Sequence, residues 1–132
     1  MGLDMYLEGH KHFMEHYEDK EKNLMEDGFR IKEKVLELGY WRKHPDLHGF
    51  IVQEFADGKD ECQDIELTTE DLQKILKAVE GEILPHTEGF FFGASSLEDK
   101  DYTIDILKKA IKWSKKKEKD DIIKYVIYRA SW

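Results

Sequence analysis

A single cysteine, Cys62, stands among the 132 residues. One thiol excludes an internal disulfide and fits a reducing compartment. No apolar run approaches the ~18 residues of a membrane-spanning helix. The opening carries no signal-peptide pattern, because Asp4 and Glu8 interrupt its apolar residues. Positive charge is also short: 21 Lys and Arg stand against 29 Asp and Glu, a net charge of -8. That balance argues against non-specific binding to nucleic acid or anionic lipid, which needs a positive field, while allowing a local basic patch. The expectation is a cytoplasmic protein that engages neither nucleic acid nor membrane. Missing as well are a phosphate-cradling glycine loop, a Ser–His–Asp set and a paired-cysteine metal site. No cofactor is expected.

What is present suits one domain with one core, long enough to fold without metal or disulfide staples. Leu3, Met5 and Leu7 alternate with Asp4, Tyr6 and Glu8, the pattern of a half-buried strand that Gly9 ends. Residues 10–30 show no clear period and read as a mobile insertion or lid. Ile31–Leu38 suits either a short helix or a strand. Pro45 pre-sets a helix start, and Leu47, Phe50, Ile51 and Phe55 make one apolar face, closed by Asp57-Gly58. Cys62–Leu67 alternates again as a strand, with Ile65 and Leu67 inward. Thr68 caps a helix with acids in its first turn, and Leu72, Ile75, Leu76, Val79 and Ile83 form its stripe until Pro85 stops it. Ser95 or Ser96 is placed to cap a further helix carrying Ile104, Leu107 and Ile111. The stretch from Ile122 to Arg129 is apolar on both faces, as a central strand is. The fold class is therefore α+β, a single-domain antiparallel sheet with about three helices packed mainly on one face.

Gly89-Phe90-Phe91-Phe92-Gly93 fits neither an amphipathic helix nor a half-buried strand, and reads as a core plug or as the floor of a pocket. With Met1-Gly2-Leu3-Asp4-Met5-Tyr6-Leu7, Tyr40-Trp41-Arg42-Lys43, Leu47-His48, Cys62, Leu84-Pro85 and the closing Ser131-Trp132, it resembles a family of small phage and prophage proteins. The likeness covers both ends and most of residues 35–132. The family has no agreed activity, so the resemblance implies a source and an architecture rather than a reaction. It also implies a strand leading into Tyr40-Trp41-Arg42-Lys43. The region from His10 to Gly28 departs from the family's wording, so a function placed there would be private to this chain.

Three clusters bear on chemistry. His12-Phe13-Met14-Glu15-His16 matches H-x-x-E-H, in which helical histidines four apart hold zinc and the glutamate serves as base. No helix cap precedes it and no third ligand is evident. Tyr40, Trp41, Arg42 and Lys43, followed by His48 at the edge of its helix's apolar face, could clamp an anion between guanidinium, ammonium and aromatic rings. The bland alternative is a strand end with core aromatics and solvated charges. Cys62 sits among Asp60, Glu61, Asp64 and Glu66, which oppose a thiolate and so oppose a Cys62–His48 nucleophile. The lysines from Lys108 to Lys119 suit a solvated helix face. The reading is a non-catalytic accessory protein that binds a protein partner. The alternative is a module for a small anionic ligand, nucleotide or phosphate, using Tyr40, Trp41, Arg42, Lys43, His48, Phe90, Phe91 and Phe92.

Overall fold

The last strand of the chain is the one the sheet cannot do without. β6 (Ile122–Ser131) lies between β1 (Asp4–Phe13) and the short β5 (Ile65–Leu67), and β4 (Glu33–Arg42) forms the far edge. The order β4-β1-β6-β5 is antiparallel throughout. These features come from a computed structural model that describes residues 2–84 and 99–132. Among them are three α-helices: α1 (Pro45–Phe55), α2 (Thr69–Glu80) and α3 (Asp99–Lys115). The Phe90–Phe92 run, Pro85 and the Ser95 or Ser96 cap lie outside the described residues.

The alternation of the first strand decides which face is covered. Leu3, Met5 and Leu7 are buried with Val126, Tyr128 and Ala130 of β6, Trp41 of β4, and Ile65 and Leu67 of β5. Leu47 and Ile51 of α1, Leu72 and Ile75 of α2, and Leu107 and Ala110 of α3 complete that core. The sheet's other side carries Asp4, Tyr6, Glu8 and His10 beside Arg129, Ile127 and Tyr125. α1 begins at Pro45 as its fixed φ favours. α2 opens on a full capping box: Thr68 Oγ1 accepts from the Asp71 N–H, and an Asp71 carboxylate oxygen accepts from the Thr68 N–H.

Several expectations are corrected. Gly9 does not end β1, which runs on to Phe13. A Cβ there would lie 2.8 Å from the Trp113 ring, so the glycine marks a close approach of α3 within a continuing strand. Ile31–Leu38 contributes to a strand, the one the resemblance implied, entered at Glu33. The strand expected from Cys62 begins only at Ile65, because Cys62 has φ +58 and sits exposed in a turn closed by Gln63 on Lys59 and Glu61. Ile83 lies past the end of α2 and is 70% exposed, outside the stripe.

The region read as a loose insertion is in part sheet and in part an arm. Residues 10–13 belong to β1. Residues 14–32 then carry a short 3-10 turn (Lys20–Lys22) and a small hairpin of β2 (Met25–Glu26) and β3 (Phe29–Arg30). Gly28, at φ +83, takes the left-handed position of that hairpin's turn, after Asp27 at φ 52.

Candidate functional site

The residues flagged for an anion site are divided by the sheet. Strand alternation puts Tyr40 and Arg42 on the sheet's other face, uncovered by any described helix, where the Tyr40 hydroxyl donates to Asp4 Oδ1 at 2.5 Å. Trp41, between them, points into the core, and its Nε1–H donates to the buried Thr103 Oγ1 of α3 at 2.8 Å. Lys43 lies just past the strand at φ +58 and donates its N–H to the Leu3 carbonyl. His48 is on the helix side and only 2% exposed. Arg42 and His48 thus face opposite sides of one sheet, and Phe90, Phe91 and Phe92 lie outside the described residues.

His48 belongs to a buried polar chain instead. Its Nδ1 lies 2.6 Å from the Tyr128 hydroxyl and its Nε2 lies 2.9 Å from Asp60 Oδ2. A carboxylate only accepts, so in the neutral ring Nε2 carries the hydrogen and the Tyr128 O–H donates to Nδ1. The other carboxylate oxygen of Asp60 accepts from Trp132 Nε1–H at 3.1 Å. Burial, with the nearby Asp60 charge, holds the Tyr128 hydroxyl well above its ordinary pKa. These bonds tie α1, the 57–64 turn and the chain's end together. Both ring nitrogens are engaged, so His48 offers the Cys62 thiol no base.

The H-x-x-E-H segment is not helical. His12 is on β1, opposite Glu33 and Ile123. His16 is in the arm with Nε2 2.7 Å from Asp121 Oδ2, and Glu15 pairs with Arg30 at 3.1 Å. The spacing that would bring two histidines to one zinc requires a helix, and no group of His, Cys, Asp or Glu among the described residues is arranged to hold a metal ion.

What sequence reasoning missed is the uncovered face and the arm at its end. His10 stacks on Tyr125 with centroids 4.9 Å apart. Its ring nitrogens approach Glu33 at 3.3 Å and Glu8 at 3.4 Å. The Tyr125 hydroxyl donates to Glu33, and this bond, more than the His10 contact, holds the Glu33 carboxyl below its usual range. Arg129 pairs with Glu8 at 3.0 Å and lies over the Tyr6 ring. The arm beyond these residues is fastened by polar bonds: Met14 N–H to the Asp121 carbonyl, Arg30 to the Phe13 carbonyl, and Asn23 to the His16 backbone. Most of its apolar side chains face outward, Ile31 being half-buried. Phe29 is 76% and Tyr17 78% exposed, with Met14, Leu24 and Met25 also exposed; Val35, Leu36 and Ile123 are exposed on the adjoining sheet. The available signal was a stretch rich in Met, Phe and Tyr with no period that could bury them.

The arm's fastening is expected to depend on pH. The bond from His16 is the largest cause drawing the Asp121 carboxyl below its ordinary range. A depressed carboxyl contributes stability above its unfolded pKa of ~3.9, and that contribution is lost as pH falls through the lower folded value. Amide protection in residues 14–32, corrected for intrinsic exchange, is therefore expected to hold down to about pH 4 and fall below it. Asp121→Asn should lower the same protection at neutral pH and leave the global melting midpoint nearly unchanged. Protection in the variant equal to that of the parent would show that the bond anchors nothing.

Comparisons with protein-family models, with curated proteins and with solved structures return no match.

Proposed function

We propose that this chain is a non-catalytic accessory protein of the phage and prophage type, and that it binds a protein partner through the arm and the adjoining end of the sheet. The observation that carries this reading is where the exposed large apolar side chains fall. Met14, Tyr17, Leu24, Met25, Phe29, Val35, Leu36 and Ile123 all belong to that end, and among the described residues only Ile83, Tyr102 and Trp132 are exposed elsewhere. A concentration of this kind, rimmed by Glu, Lys and Arg, is the mark of an interaction surface rather than scattered surface hydrophobics. The arm also overlaps the stretch from His10 to Gly28 that departs from the resembled family, which suits a partner specific to this protein. The small-anion reading is less well supported, because Arg42 and His48 do not share a face.

Replacing Tyr17, Met25 and Phe29 together by serine removes the most exposed arm anchors without touching the core. The parent protein, immobilised and exposed to host-cell lysate, is expected to retain discrete proteins that the triple variant does not, with both melting at the same temperature. An identical capture profile from parent and variant would remove the arm from the function.

A further inference from the structure

β4 is the long edge of the sheet, and the register shows which of its backbone groups face outward. The Phe13 N–H donates to the Lys32 carbonyl, and His12 stands opposite Glu33. In an antiparallel ladder this makes His12 and Glu33 a non-hydrogen-bonded pair, so the N–H and C=O of Glu33 point away from β1. Alternation gives Val35 and Glu37, opposite His10 and Glu8, the same outward orientation. Leu38 is then bulged, since Leu7 pairs with Gly39 and Glu8 with Glu37. The next outward residue is Tyr40, whose carbonyl already accepts from the Tyr102 hydroxyl at 2.8 Å. One end of the edge is thus capped, while Glu33–Glu37 is open among the described residues and every residue in it is exposed.

We propose that Glu33–Glu37 is a strand-addition site for an extended segment of a partner protein, with basic side chains at alternate positions around an apolar one. The proposal rests on the protein-binding reading above and names the chemistry of that partner. Glu33, Val35 and Glu37 share the uncovered face, so an added strand sets its own alternate side chains directly against acid, apolar and acid. On the other side Lys34 and Leu36 ask for an acid and an apolar residue. The ladder supplies affinity and the alternating pattern supplies selectivity. A second copy of this chain fits poorly. Two-fold pairing centred on Val35 sets Glu33 against Glu37, and pairing centred on Lys34 sets lysine against lysine. A register centred on Leu36 runs onto the Tyr40 carbonyl that Tyr102 occupies. Charged edges of this kind guard against self-association.

The probe is a short synthetic peptide containing Lys-Leu-Val-Glu-Lys, added to the isotopically labelled full chain and followed by amide hydrogen exchange. The Glu33, Val35 and Glu37 amides are expected to gain protection. The gain should be lost when the peptide amides facing β4 are N-methylated, and lost again when its lysines are replaced by glutamates. Glu37→Lys, at an exposed position, should weaken the original peptide. Absence of protection, equal binding by the N-methylated peptide, or β4 protection without peptide in a chain that elutes as a dimer would each overturn the proposal. If the peptide leaves β4 unprotected while the arm substitutions still abolish capture, the strand-addition inference falls and the partner reading stands. Protection by the peptide with capture unaffected by the arm substitutions would remove the arm and keep the edge.

Discussion

Removing residues 123–132 is expected to leave a chain with no cooperative unfolding transition. The deletion takes nearly all of β6, which pairs with β1 along its whole length from Asp4 to Phe13 and with β5 from Ile65 to Leu67. It also takes Val126, Tyr128 and Ala130 out of the core, facing Leu7, Met5 and the helices. What remains is a two-stranded ribbon of β1 and β4 beside helices with no sheet to cover, and such a ribbon is marginal in water by itself. Far-ultraviolet circular dichroism and a thermal scan decide the matter. A sharp transition retained by the truncated chain would refute the central role of β6. Replacing residues 18–27 by a flexible link, by contrast, should shift the midpoint little, because every residue there apart from a half-buried Asn23 is exposed.

The second large effect is expected at His48. In His48→Ala the Tyr128 hydroxyl, in a side chain only 1% exposed, loses its acceptor and Asp60 loses a donor. The imidazole also leaves a hole between α1 and β6. A buried orphaned hydroxyl costs about 1–3 kcal/mol, and the cavity adds to it, so a loss of roughly 3 kcal/mol is expected in denaturant unfolding. Tyr128→Phe removes the hydroxyl together with its need for a partner and should cost only about 1 kcal/mol. The double variant should then lose less than the sum of the two, the coupling expected of groups in one network. A loss below about 1 kcal/mol in His48→Ala would mean that the polar chain contributes little to stability.

How far the fold was legible follows from where the helices lie. Leu3, Met5 and Leu7 face helices on one side only, so their alternation is clean in the sequence and fixes both the strand and its buried face. The Thr68 cap and the stripe of α2 were legible because local chemistry sets them. The distal halves of β1 and β4 were not. From Glu33 to Glu37 the strand is exposed on both faces, so no burial imposes a period on its residues. The first half of Cys62–Leu67 misled for the opposite reason, since chance alternation resembled a strand where the backbone turns through a positive φ. His48 was singled out on its position at the edge of an apolar face. Its partner Tyr128 is 80 residues away, a pairing that no local pattern encodes. The outward Phe29 and Met25 lacked periodicity for the reason that makes them interesting: nothing among the described residues buries them.

The placement of β6 also bears on how the protein is made. The strand nearest the start of the chain pairs along its entire length with the strand that ends at Ser131. Contacts of such large sequence separation cannot form on a ribosome until the last of them has emerged, and their loop-closure entropy slows the search afterwards. Synthesis therefore passes through a nascent chain in which Leu3, Met5 and Leu7 have no β6 to pair with, and the sheet is completed only after residues 122–131 have emerged.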